Sequence, residues 1–114
     1  MKMIIAGGRD FDAQDEHWLA LDELNVDFGI SEVVSGGCSG ADEFGECWAN
    51  SRNIPVRLFK ADWKTHKRAA GPIRNRKMAE YANALVAFKG GKGTNNMVKE
   101  AEKAGLHFFD RRDY

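Results

Sequence analysis

Short apolar runs alternate with longer amphipathic segments along the whole chain. Met3–Ala6 is an apolar run of strand length, which predicts a buried strand. Across Asp15–Phe28 the residues Trp18, Leu21, Leu24 and Phe28 recur at helical spacing, which predicts a helix with one apolar stripe. Glu32–Ser35 predicts a second strand. Ala41–Arg52 predicts a helix whose inner face carries Phe44, Cys47, Trp48 and Ser51, and Val56–Phe59, after Pro55, a third strand. A longer connection, Lys60–Gly71, leads to Pro72, which suits the first turn of a third helix running to about Ala82. Ala84–Phe88 predicts a fourth strand and Thr94–Ala104 a fourth helix stopped by Gly105. His107–Phe109 predicts a fifth strand, and Arg111–Tyr114 a loose tail.

Strands that alternate with helices imply right-handed crossovers and a parallel sheet covered on both faces. The expected fold class is therefore α/β: a single Rossmann-like three-layer domain over residues 1–114, built on a five-stranded parallel sheet. A chain of 114 residues fits one domain with its own core.

In such sheets a ligand binds beyond the carboxyl ends of the strands. Three of the four strand-to-helix turns there carry glycine clusters: Gly7-Gly8-Arg9-Asp10-Phe11, Ser35-Gly36-Gly37-Cys38-Ser39-Gly40-Ala41-Asp42 and Gly90-Gly91-Lys92-Gly93-Thr94. A backbone without Cβ can come within hydrogen-bonding distance of a phosphate. The helix that follows offers unpaired N–H groups and the positive end of its dipole. Neither standard nucleotide signature is present. The second turn is not G-x-G-x-x-G and the last is not G-x-x-x-x-G-K-[ST], which disfavours ordinary NAD binding and ATP hydrolysis.

Charge adds one asymmetry. The net charge is zero, yet residues 1–57 hold 4 basic and 11 acidic side chains and residues 58–114 hold 13 basic and 6 acidic, a split of −7 and +7. The stretch from Lys64 to Lys77 contains no acid, and suits an anion or the acidic surface of a second copy. No apolar run reaches membrane-spanning length, and Met1–Ala6 is too short for a signal peptide. Two cysteines, Cys38 and Cys47, make neither a disulfide framework nor a zinc site, so the expected compartment is the reducing cytoplasm. No metal or cofactor is called for.

Five motifs stand in order: Gly7-Gly8-Arg9-Asp10-Phe11, Ser35-Gly36-Gly37…Gly40-Ala41-Asp42, Ala61-Asp62-Trp63, Ala70-Gly71-Pro72-Ile73-Arg74-Asn75 and Gly90-Gly91-Lys92-Gly93-Thr94. Together they resemble the YspA-like, YpsA-related branch of the SLOG superfamily, which takes in the DNA-processing protein Smf/DprA and the cytokinin-activating LOG enzymes. The resemblance covers essentially the whole chain. It implies a bacterial or phage protein, in the host cytoplasm if phage-encoded, that binds a nucleotide-derived ligand; some SLOG domains sense ADP-ribose-related cyclic signals. It also implies pairing into homo-oligomers.

LOG enzymes cleave the N-glycosidic bond of nucleoside monophosphates and carry P-G-G-x-G-T-x-x-E after an Arg-Lys pair. Here Gly90, Gly91, Gly93 and Thr94 match, Lys89 replaces the proline, and Met97 stands in place of the glutamate. Arg74 falls at the spacing of the arginine and Asn75 replaces the lysine. A carboxylate would stabilise positive charge developing at the ribose or activate water, and a thioether does neither. The expectation is therefore binding without a catalytic residue. The alternatives are a LOG-like N-glycosidase in which Asp10, Asp42 or Glu43 supplies the carboxylate, and a nucleic-acid-binding module, which the zero net charge disfavours.

The expected ligand-binding residues are Gly7, Gly8, Arg9, Asp10, Ser35, Gly36, Gly37, Ser39, Gly40, Asp42, Trp63, Arg74, Asn75, Gly90, Gly91, Gly93 and Thr94. Arg9 suits a bidentate phosphate clamp or an ion pair with the acidic first helix. Asp42 suits ribose hydroxyls or the helix dipole. Trp63 suits a stacked base or loop packing. Thr94 reads as a helix N-cap. His66 is a candidate acid or base, Cys38 a weak candidate nucleophile, and Trp18 and Trp48 core.

Overall fold

The computed structural model describes residues 1–113, and the alternating pattern becomes a layered fold. In chain order the elements are β1 (Lys2–Ala6), α1 (Asp15–Phe28), β2 (Glu32–Ser35), α2 (Ala41–Ser51), β3 (Val56–Leu58), α3 (Trp63–His66), a 3-10 turn (Lys67–Ala69), α4 (Ala70–Tyr81), β4 (Ala84–Ala87), α5 (Lys92–Lys103) and β5 (His107–Asp110). The strands form one parallel sheet in the order β3-β2-β1-β4-β5. Met3 stands opposite Val33 on one side and Ala84 on the other.

Side-chain alternation along β1 explains why its run is apolar throughout. Met3 and Ile5 join one core with Leu21, Leu24, Phe44 and Trp48 from α1 and α2. Ile4 and Ala6 join the other with Met78, Met97, Val98 and Ala101 from α4 and α5. A central parallel strand has no solvent face, so both sets of positions must be apolar. Each fully buried side chain of this size contributes about 1.5–3 kcal/mol relative to exposure.

Several expectations need correction. In α1 the inward positions are His17, Ala20, Leu21 and Leu24, with Trp18 half-buried; Phe28, in the last turn, is exposed and leans on Phe109 with ring centres 5.0 Å apart. In α2, Cys47 and Ser51 are exposed, and Gly45 and Ala49 face the sheet. A Cβ on Gly45 would lie 3.0 Å from Ile5 Cβ, so helix and strand approach too closely for a larger side chain.

The Lys60–Gly71 connection contains α3 and the 3-10 turn, and α4 begins two residues before Pro72. The last helix begins at Lys92 with Gly91 as its N-cap, so Thr94 is not the cap but lies in the first turn. The described residues after β5 form a turn tied back to the sheet end instead of a loose tail. Arg111 N donates to Ala87 O at 2.8 Å, and Arg112 donates from Nε and Nη2 to the two carboxylate oxygens of Asp110. Tyr114 lies outside the described residues. Among the described residues no helix is long and apolar enough to cross a membrane.

Candidate functional site

The strand order reverses between β1 and β4, where β1 continues toward β2 and β4 continues toward β5 on the opposite side. The turns that leave these two strands touch. Gly8 N donates to Lys89 O at 2.9 Å, and a Cβ on Gly90 would lie 2.7 Å from Gly8 N. Gly40, at φ 73°, packs against the carbonyls of Gly8 and Arg9, so the second turn closes on the first backbone to backbone, and Ser39 Oγ donates to Arg9 O at 3.5 Å. Two glycines thus bring three turns together at the carboxyl edge of the sheet, where parallel α/β folds place ligands.

A cavity of about 520 Å³ opens there. Gly7, Gly8, Gly36, Gly91 and Gly93 form part of its wall. Arg9, Arg68, Arg74 and Lys92 line it, against one carboxylate, Asp42. The balance of lining charge favours an anion.

The turns differ in what they offer. The turn before α2 satisfies part of its own donors, while the amides of Asp42 and Glu43 meet no acceptor among the described residues. Ala41 N donates to Gly8 O (3.1 Å), Cys38 N to Asp42 Oδ2 (3.1 Å) and Gly37 N to Ser35 Oγ (3.1 Å); the Ser35 hydroxyl itself donates to Glu46 Oε2 (2.7 Å). Asp42 and Glu43 also answer the positive end of that helix. At α5, by contrast, the amides of Lys92, Gly93 and Thr94 meet no acceptor among the described residues, and the first turn carries Lys92 and no acid. Unpaired N–H groups, the positive helix end and a lysine make this turn the best anion donor of the three.

Arg74 and Asn75 tie the walls together from the second turn of α4. Arg74 donates from Nη1 to Gly36 O and from Nε to Asn75 Oδ1, both at 2.9 Å. Asn75, 6% exposed, donates from Nδ2 to Asn96 Oδ1 at 2.9 Å. The turn after β2 is thereby linked through α4 to α5. Burial raises the Asp42 pKa above its ordinary value, partly offset by the Cys38 amide and the nearby Arg74. Asp42 is a polar acceptor on the cavity wall.

Trp63 lines the same cavity with 49% of its surface exposed. Arg9 is exposed and forms no salt bridge among the described residues, so the acidic first helix does not hold it. Met97, 2% exposed, lines the cavity where LOG enzymes carry glutamate. Of the expected residues, Gly7, Gly8, Arg9, Gly36, Asp42, Trp63, Arg74, Asn75, Gly91, Gly93 and Thr94 meet at this cavity. Ser35, Gly37, Ser39 and Gly40 lie in the supporting turn, and Asp10 and Gly90 line a second cavity beyond it. Arg68, Lys92 and Asn96 line the site without having been singled out. Arg68 belongs to the acid-free stretch and Lys92 to the last glycine motif, but Asn96 is marked by nothing in its neighbourhood.

A family model described as the YspA, cpYpsA-related SLOG family (YAcAr) matches residues 1–66. The Gene 61 protein of Mycobacterium phage D29 is 36% identical over 115 residues, a match that covers 92% of this chain and 91% of that protein. No solved structure matches significantly.

Proposed function

Given that the chain belongs to the YspA, cpYpsA-related SLOG family, we propose that it binds a phosphate-bearing, nucleotide-derived ligand in the first cavity, to sense or sequester it. The observation that carries this reading is the first turn of α5. Its three unpaired amides and Lys92 border a cavity also lined by Arg9, Arg68 and Arg74. A phosphate at that turn lies within reach of arginines able to make charge-assisted bonds. Trp63 supplies a flat apolar face for a base, and Asp42 accepts from sugar hydroxyls. Isothermal calorimetry with AMP, ADP, ADP-ribose and cyclic ADP-ribose isomers tests it. The expected result is saturable binding of at least one member, weakened by salt; absence of heat across the panel, with folded protein, rules the reading out.

One observation favours a second reading, an N-glycosidase acting on nucleoside monophosphates. Asp42 brings to the cavity a carboxyl group whose pKa is raised by burial, as a general acid or base requires. Incubation with nucleoside monophosphates and chromatography for free base separates the two. Release of base that disappears in Asp42→Asn supports cleavage, and intact nucleotide supports binding alone.

A further inference from the structure

Arg74, Asn75 and Asn96 stand in a row between α4 and α5, and the chemistry of each fixes the orientation of the next. A guanidinium only donates. Arg74 Nε meets the Asn75 side chain at 2.9 Å, so the atom that receives it is the carbonyl oxygen Oδ1. The other end of that amide is then Nδ2, and it faces Gly93 O at 3.4 Å, which only accepts. Both neighbours therefore demand the same orientation. Reversing this amide, only 6% exposed, would set donor against donor at one end and acceptor against acceptor at the other.

Asn75 Nδ2 also meets Asn96 at 2.9 Å, so the Asn96 atom turned toward it is again Oδ1. That leaves Asn96 Nδ2 on the free side. It has no acceptor among the described residues and is not enclosed, for Asn96 is half-buried and lines the first cavity. Side chains on a helix lean toward its N-terminus, which carries Asn96 back over Lys92 and Gly93. Those residues hold unpaired amides of the first turn of α5. Arg74 adds to the pattern. Its Nη2 meets no acceptor among the described residues, and none of their carboxylates stands within salt-bridge distance of it.

We propose that Asn96 is a ligand-binding residue whose Nδ2–H donates to an ionised phosphate oxygen at the α5 turn, and that Asn75 is the positioning residue that fixes this polarity. The proposal rests on the phosphate reading of the first cavity. It adds a reason for the class of group held there. The α5 amides, Lys92, Arg74 Nη2 and Asn96 Nδ2 are all donors, and an ionised phosphate oxygen only accepts.

Two variants test this by calorimetry with AMP, ADP and ADP-ribose. Asn96→Ala removes the donor and should weaken the tightest-bound of the three about tenfold. Asn75→Asp keeps an acceptor for Arg74 Nε but presents a second oxygen to Asn96. The Asn96 amide must then turn its Nδ2 inward and its oxygen toward the ligand, so this variant should weaken binding at least as much. The double variant separates a lost donor from an added charge. With the donor already turned away, Asn96→Ala should cost nothing further in the Asn75→Asp background. Losses that add across the two positions overturn the positioning role of Asn75. If Asn75→Asp fails to fold, side-chain amide spectra of the wild type decide, and the Asn96 Nδ2 protons should move downfield as nucleotide is added. Wild-type affinity in Asn96→Ala with an unmoved amide signal overturns the assignment and leaves the phosphate reading standing. Silence of all three nucleotides overturns both.

Discussion

The guanidinium of Arg74 donates from Nη1 to the carbonyl oxygen of Gly36 across 2.9 Å, joining α4 to the turn after β2. A Cβ on Gly36 would lie 2.6 Å from that same Nη1, while the backbone of Gly36 has no positive φ. Gly36→Ala should therefore displace the arginine and leave the fold in place. We expect ligand affinity to fall about tenfold, as one charge-assisted bond is lost. Arg74→Ala should do the same, and the double variant should be no worse than either alone, since both act through one contact. Calorimetry on the three variants checks this; wild-type affinity in Gly36→Ala would show that Arg74 does not serve the ligand.

Two glycines of the last turn separate folding from binding. Gly93 has open space around its missing Cβ and sits in the first turn of α5, so Gly93→Ala should stabilise the unliganded protein by about 0.4–1 kcal/mol. The same methyl group should crowd an anion at the helix end and weaken its binding. Gly90→Ala should destabilise by about 1–3 kcal/mol, because its Cβ would strike Gly8 N and Thr94. Urea unfolding of both variants, followed by ligand titration of Gly93→Ala, gives the comparison.

Asp42 predicts a pH dependence. Burial raises its pKa above 3.8 in the folded state, so the native protein holds this proton more tightly than the unfolded chain does. Its contribution to stability is most favourable below pH 3.8 and declines as pH rises through the raised value. Asp42→Asn, which can still accept the Cys38 amide, should therefore gain on the wild type as pH rises through that window. The two should converge in the acid, measured as unfolding midpoints in urea across the pH range.

Trp63 offers an optical signal. Trp48 is fully buried with its Nε1 donating to Asp22 Oδ1 at 2.9 Å, and Trp18 is half-buried against Phe44. Trp63 is the most exposed of the three and lines the cavity. A base stacked there should change its fluorescence, and Trp63→Phe should abolish the change while keeping most affinity. Trp63→Ala should weaken binding about tenfold, within the ~1–3 kcal/mol typical of base stacking. An unaltered response in Trp63→Phe would assign the signal elsewhere.

The layered fold was legible because central parallel strands are apolar at successive positions, as Met3, Ile4 and Ile5 are. The glycine turns were legible because close backbone approach leaves a mark in composition. What escaped was set by distances between elements. Gly45 faces the sheet because α2 comes close to Ile5, and periodicity, which weighs side chains by hydrophobicity, assigned Cys47 inward instead. Thr94 looked like a cap, but the chain enters α5 two residues earlier. His17 falls outside the apolar stripe of α1, and only the fold places it between Phe11 and Phe88. Asn96 is brought to the cavity beside Asn75, 21 positions away in the chain, a pairing that no local pattern marks.

The central position of β1 bears on how the protein is made. Its two neighbours are β2, which is synthesised soon after it, and β4, whose residue Ala84 pairs with Met3 from about eighty positions later. As the chain leaves the ribosome, β1 appears before the other strands and keeps one hydrogen-bonding edge open until Ala84–Ala87 emerges. A fragment ending at residue 66, the limit of the family match, would retain that open edge and lack both helices of the second core. A species with an open strand edge beside an incomplete core is of the kind prone to aggregate until the remaining strands add.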